Sequence, residues 1–166
     1  MEADIRSILE SFNQYQPVPW DRIPDLGLYM DQVITFITRM YEPLYGEAAK
    51  ACLSSSMINN YVKSKLIPRP EKKKYNREQI ALLSMIVALK QVSTMEDIRI
   101  MFTLEDGMTV EQLYTLFCRQ HTKVIASLLS LAETQDSDLP PAMSYAILAS
   151  GYRAGCEAML NIKPNE

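Results

Sequence analysis

The sequence predicts an all-α protein, and two observations carry that expectation. Apolar residues recur at spacings of three and four through almost the whole chain, and the nine prolines and five glycines fall mostly between those stretches. The 166 residues, 48% hydrophobic and 22% charged, suit one domain with a real core, or a compact domain with a helical extension. No low-complexity tail argues for disorder.

A short N-terminal helix is marked by Ile5, Ile8, Leu9 and Phe12. "QPVPWDRIPDLG" ends it with three prolines, a glycine and the only tryptophan, a segment expected to be ordered by packing of Trp20 and Ile23. Met30, Val33, Ile34, Ile37, Met40, Tyr41 and Leu44 then trace the apolar stripe of a helix facing a core. "EPLYGEAAKACL" is expected to break it at Pro43 and Gly46 before a short further helix.

Ser54, Ser55 or Ser56 can cap the next helix, because a serine hydroxyl accepts a bond from an unpaired N–H in the first turn. At about 100° per residue, Ile58, Tyr61, Val62 and Leu66 share one side, and Ser56, Asn59, Asn60, Lys63 and Ser64 the other. Pro68 and Pro70 end this element, and "EKKKYN" has the length of a tight hairpin or wing with Tyr75 on its returning limb. Asn76 is placed to cap "REQIALLSMIVALKQ", which is apolar around most of its circumference and so expected to be covered on several sides. "STMEDIRIMFTL" opens with a capping box, Ser93 or Thr94 with Glu96 or Asp97 behind it.

From Thr109 a longer helix is expected to bury Val110, Leu113, Tyr114, Phe117, His121, Val124, Leu128 and Leu131. "AETQDSDLPP" separates it from a last helix starting near Pro141, rich in alanine and glycine, whose small residues predict close approach of a partner helix in this chain or a second copy.

Several chemistries find no support. Cys52, Cys118 and Cys156 are far apart with no CxxC spacing, so neither a disulfide framework nor a zinc site is expected, and no other cofactor is implied. None of the HExxH, GxSxG, GxxxxGK[ST] or GxGxxG patterns occurs, His121 falls on an apolar face, and the pairs Glu96–Asp97 and Glu105–Asp106 sit at helix ends where capping explains them. An enzyme is not expected. No run of about 18 apolar residues suggests a membrane span, and "MEADIRSILE" lacks the order of a secretory signal, so a cytoplasmic location is the default.

Charge is the informative feature. The net charge is only −3, yet residues 63–77 hold seven basic residues against Glu71 alone, a local +6 that leaves −9 elsewhere. Such a field suits a polyanion. A capped helix offering Ser56, Asn59, Asn60 and Lys63 outward can enter a major groove, where asparagine pairs with the adenine edge and lysine reaches guanine or phosphate. Lys72, Lys73 and Lys74 follow on a turn that can neutralise phosphates and release counterions. A charge run is more often only a solvated surface. The order of elements (helix, turn, polar-faced helix, basic hairpin, buried helix) is what favours a winged helix-turn-helix.

Residues 55–102, "SSMINNYVKSKLIPRPEKKKYNREQIALLSMIVALKQVSTMEDIRIMF", resemble the DNA-binding half of MerR-type regulators. The matching parts are "SKLIPRP" as the exit from the recognition helix, "KKKYNREQI" as a basic wing returning through tyrosine, and "VSTMEDIRIMF" as the turn into a second helix. The longer span from "IPDLGLYMDQVITFI" to Phe102 is similar to the YkrK-like bacterial family, a domain-of-unknown-function group of MerR-like character, through "MINNYVK", "KKYNREQIALL" and "LKQVSTMEDI". The resemblance implies a dimeric, sequence-specific transcription regulator. It departs where Asn59, Asn60 and Tyr61 replace the usual arginine-tyrosine-tyrosine core, and where two shorter C-terminal helices replace one long coiled-coil helix.

The resulting expectation is an all-α, MerR-like winged helix-turn-helix core over residues 28–105, with an N-terminal helix and ordered loop over 1–27 and a C-terminal helical hairpin over 106–166. Double-stranded DNA and a second copy of the chain are the expected partners. Asn59, Asn60 and Lys63 would read bases from a recognition helix of about 55–66, while Ser55, Ser56, Lys65, Arg69, Lys72, Lys73, Lys74 and Tyr75 would hold the backbone, with the wing at about 69–77. A small-molecule effector between the C-terminal helices would be lined by Tyr114, Tyr145 and Tyr152, unless these simply fill a core. The rival readings are a helical protein-interaction module without DNA and an architectural binder that ignores sequence.

Overall fold

Nearly every periodic segment becomes a helix in the computed structural model of the chain, which describes residues 7–10, 12–103, 107–133 and 138–161. Ile5, Glu105, Asp106 and the first part of the break before Pro141 lie outside the described residues. Residues 7–10 are helical, and a 3-10 turn η1 (Trp20–Arg22) leads to α1 (Met30–Tyr45). A second 3-10 segment η2 (Gly46–Ala51) precedes α2 (Ser55–Lys63), α3 (Arg77–Leu89) and α4 (Met95–Met101). The long helices α5 (Val110–Glu133) and α6 (Pro141–Leu160) complete the order. Among the described residues there is no strand, only isolated antiparallel bridges Leu28–Tyr75 and Glu71–Lys74.

α3 is the hub. Every residue from Gln79 to Val87 is buried, which is why its sequence is apolar all round rather than on one stripe. α1 packs on it through Val33, Ile37 and Tyr41, and the Tyr41 hydroxyl donates to the Ser84 carbonyl at 2.7 Å. α5 covers another side, and the Tyr114 hydroxyl donates to the Val18 carbonyl at 2.7 Å, fastening the proline-rich N-terminal segment. Trp20 lies against the Tyr114 ring at 6.1 Å and Ile23 is buried, so that segment is ordered by packing as expected. One continuous cluster runs from Tyr15 and Ile23 through α1, α2 and α3 to Ile98 and Tyr114. Each fully buried aliphatic side chain in it contributes roughly 1.5–3 kcal/mol.

Two helix boundaries differ from the sequence expectation. α1 runs through Pro43 and stops only at Gly46, whose φ of +55° turns the chain out of the helix. Pro43 sits in the last turn, where its missing N–H breaks one bond and the chain is about to leave the helix anyway. α2 ends at Lys63 rather than near Leu66, for a reason given below. The core face of α5 also shifts: Val124 is exposed and Ile125 packs on the cluster, because four residues, not three, carry the face on from His121.

His121 is packed as a core residue. Its Nδ1 lies 2.9 Å from the Tyr15 hydroxyl, within hydrogen-bond distance, and the rings of Tyr15, Tyr41 and Phe117 surround it. Burial holds its pKa below the ordinary 6.5. The folded state therefore prefers neutral His121, and its contribution to stability is complete above pH 6.5 and is lost as the pH falls through the lower folded value. Chemical denaturation from pH 7.5 to 5 should show this decline, and His121→Gln should flatten it while lowering stability at every pH.

Candidate nucleic-acid interface

The capping serine of α2 is Ser54, whose hydroxyl accepts from the Met57 amide at 3.3 Å. Ser55 and Ser56 are thereby left exposed on the first turn. Along the nine residues of α2, Ile58 and Tyr61 are buried, and Ser55, Ser56, Asn59, Asn60 and Lys63 are all exposed. The helix thus seats one side on the core and presents an amide and hydroxyl face about 13 Å long.

Its end is built in the backbone. Lys65 N–H bonds to Val62 C=O at 3.1 Å and Leu66 N–H reaches back to Tyr61 C=O at 2.9 Å, the paired bonds of a Schellman ending. That ending requires a left-handed residue, here Lys65 at φ +59°. The Ser64 carbonyl is capped by the Arg99 guanidinium at 2.8 Å, and Arg99 also pairs with Glu96 at 3.2 Å, so α4 holds the C-terminus of α2. Thr94 caps α4 in a box with Asp97, and the Thr94 hydroxyl and amide hold the Asp97 carboxyl below its usual range.

The segment leaving α2 is pinned by Gln79. Its side chain donates to the Pro68 carbonyl at 3.0 Å and accepts from the Asn76 amide at 2.8 Å, while its own amide donates to the Asn76 side chain at 2.9 Å. Buried Gln79 is therefore satisfied and ties residue 68 to the start of α3. Sequence reasoning found Asn76 but missed Gln79, although glutamine three residues after an asparagine cap is the signal for it.

Between these anchors, Glu71 to Lys74 form a tight turn closed by Lys74 N–H to Glu71 C=O at 2.8 Å. Lys72 and Lys73 have φ of +48° and +65°, two consecutive positive values that mark a type I′ turn. Asn-Gly is the inexpensive sequence there. The positive-φ non-glycine residues among those described are Lys65, Lys72 and Lys73, all lysines of the basic stretch. Each left-handed lysine costs roughly 1–2 kcal/mol relative to a right-handed conformation. The double change Lys72→Asn with Lys73→Gly should accordingly raise stability by about 1–2 kcal/mol in a denaturant titration. It should at the same time weaken polyanion binding by removing two charges.

Two basic-stretch assignments need revision. Tyr75, expected on the DNA backbone, is 2% exposed: its ring belongs to the core, and its N–H and C=O both pair with Leu28, at 2.8 and 2.9 Å. An aromatic on the returning limb is worth more in the core than in water. Arg77, counted in the local charge, donates to the Ile23 carbonyl at 3.0 Å, lies 3.7 Å from Asp25 and sits over the Trp20 ring at 5.8 Å. Its charge serves the fold. By contrast Lys63, Lys65, Arg69, Lys72, Lys73 and Lys74 are exposed, and none forms an ion pair with a described residue.

One edge of α2, at Asn59, Val62 and Lys63, and Lys73 of the turn border one groove of 1430 Å³, while Ser55, Ser56, Asn60, Lys72 and Lys74 lie outside its lining. Asn59, Lys63, Lys65, Arg69 and Lys73 line it, Leu66, Ile67, Pro68 and Pro70 form its apolar parts, and Tyr29, Met30 and Asp31 at the start of α1 contribute to it. Asp31 is the single acidic residue in that lining. Tyr29, about half exposed with the Lys74 ammonium 5.3 Å from its ring centre, was not visible as a site residue in the sequence, since only the Leu28–Tyr75 pairing brings it there.

The three tyrosines neither gather into an effector pocket nor all fill the core. Tyr114 is in the core, Tyr145 donates to the Leu128 carbonyl at 2.8 Å, and Tyr152 is 70% exposed, so the three are not gathered. Among the described residues no cluster of His, Cys, Asp and Glu could hold a metal ion, and no helix is long and apolar enough to cross a membrane.

Residues 18–118 match the family described as "Domain of unknown function (DUF1836)", well over half of the chain. The chain belongs to the DUF1836 family. The DUF1836 region runs from Val18, which accepts the Tyr114 bond, to Cys118 within α5, and so contains the entire groove and every anchor just described. The second half of α5 and all of α6 lie outside the DUF1836 match. Neither the curated proteins nor the solved structures searched gave a match.

Proposed function

We propose that this DUF1836 protein is a sequence-specific DNA-binding transcription regulator with a winged helix-turn-helix of MerR-like character. One observation carries the reading: Asn59 and Lys63 of α2, Lys65, Arg69, and Lys73 of the turn line a single groove, and these cations form no ion pair with a described residue. The likeness of residues 55–102 to MerR-type regulators, and of the longer span from Ile23 to Phe102 to the YkrK-like group, supports it from the sequence side. So do the three lysines kept in left-handed conformations, where glycine or asparagine would cost less.

In this reading α2 enters the major groove. Asn59 and Asn60 meet adenine edges, and Lys63 reaches guanine or the adjoining phosphate. Ser55, Ser56, Lys65, Arg69, Lys72, Lys73 and Lys74 contact phosphates, and Tyr75 acts only by holding the returning limb. In this reading the chain acts as a dimer, which is supported by the exposure of Met143, Ile147, Tyr152 and Met159 on α6, each half or more exposed, and by Gly151 and Gly155, which meet nothing among the described residues. A two-fold dimer implies a palindromic site with half-sites roughly 34 Å apart or a multiple of that.

Titration of a random-sequence duplex against salt tests the electrostatic half. Log affinity should fall linearly with log salt, and no binding at low salt would contradict the reading. Asn60→Ala tests the specific half. It should reduce discrimination between a selected site and random DNA by about 1–3 kcal/mol, whereas an equal loss on both would mean that Asn60 reads no base.

A further inference from the structure

We propose that Gly27 and Leu28, far upstream of the lysine turn, are the residues that position it over the groove. The proposal rests on the DNA-binding reading above. The turn has little of its own to fix it: Glu71 to Lys74 are joined by one backbone bond, and a two-residue hairpin without further strands is marginal in water. What gives it an orientation is the chain passing beneath. Leu28 exchanges both backbone bonds with Tyr75, and the buried Tyr75 ring anchors that pair to the core.

Gly27, next to that pair, lies close against Lys74 of the turn. A Cβ built there would lie 3.1 Å from the Lys74 Cβ, tighter than ordinary contact, and the φ of Gly27 is +73°. The absence of a side chain at residue 27 therefore lets the passing segment sit against the turn without crowding Lys74. Tyr29 continues the contact with its ring under the Lys74 ammonium. A side chain at position 27 adds positive-φ strain and requires the Lys74 side of the turn to give by a few tenths of an ångström, and on this proposal that shift loosens the Leu28–Tyr75 pairing and the placement of the lysines.

The experiment is a double-mutant cycle read as duplex affinity and salt slope. Gly27→Ala is the obvious variant. Gly27→Asn is the second, because asparagine tolerates positive φ better while still carrying the offending Cβ. Each is made in the natural chain and in one with Lys72, Lys73 and Lys74 replaced by alanine, with thermal unfolding as the check on folding. The expected result in the natural chain is a loss of affinity and a flattening of the salt slope approaching those of the triple-lysine replacement. In the alanine-turn background the same change should alter Kd by less than about twofold. Equal losses in both backgrounds, or no loss in either, would overturn the proposal. If the natural chain binds no duplex, the DNA reading fails, and amide exchange then decides the positioning role. Faster exchange confined to Leu28, Lys74 and Tyr75 in Gly27→Asn supports it, and unchanged or chain-wide exchange overturns it.

Discussion

Replacing Lys72, Lys73 and Lys74 together with alanine is expected to weaken duplex binding by about 10²-fold at roughly 0.1 M salt and to lower the log–log salt slope by about 3. The reasoning is one counterion released per phosphate neutralised, with three exposed ammonium groups on one turn. Lys74 lies over the Tyr29 ring, and that contact leaves its charge on the surface. Stability should hardly move, because these lysines pair with no described carboxylate and alanine leaves the left-handed backbone strain as it was. Fluorescence anisotropy across a salt series measures both quantities. Arg77→Ala makes the contrast: it removes the bond to Ile23 and the contact with Trp20, so it should destabilise the fold without the same signature in the salt slope.

The second large effect is expected from Ile58→Ala. Ile58 is fully buried beneath the face that carries Asn59 and Asn60. A buried Ile→Ala change costs about 2–5 kcal/mol, which in a chain of this size lowers Tm by roughly 5–15 °C. A helix of nine residues is too short to persist without its seat. Tyr61 and the Arg99 bond to Ser64 would remain, yet the amide face would lose its fixed orientation. Calorimetry should show the Tm decrease, and binding to a selected site should fall even at temperatures where the chain stays folded.

The local parts of this structure were legible. The two-sided pattern of α2, the caps at Asn76 and Thr94, and the all-round apolar character of α3 are properties of neighbouring residues, and each appears where the spacing put it. A tight turn at "EKKKYN" followed from its length, although it is closed by isolated bridges rather than by strands. What could not be read were choices made at long range. Whether Tyr75 faces out or in depends on Leu28, whether Arg77 is free depends on Ile23 and Asp25, and Tyr29 joins the groove only through that same pairing. The small residues of α6 announced a close partner without saying which, and α5 of this chain meets α6 through Tyr145 while leaving its glycines open.

The central claim is that α2 reads sequence while the turn holds phosphate, and it is met most directly by selecting bound duplexes from a random pool with the natural protein and the triple-lysine variant side by side. The account predicts that the natural protein enriches one palindromic sequence and that the variant fails to retain it. A pool that stays random after repeated rounds at low salt would contradict it.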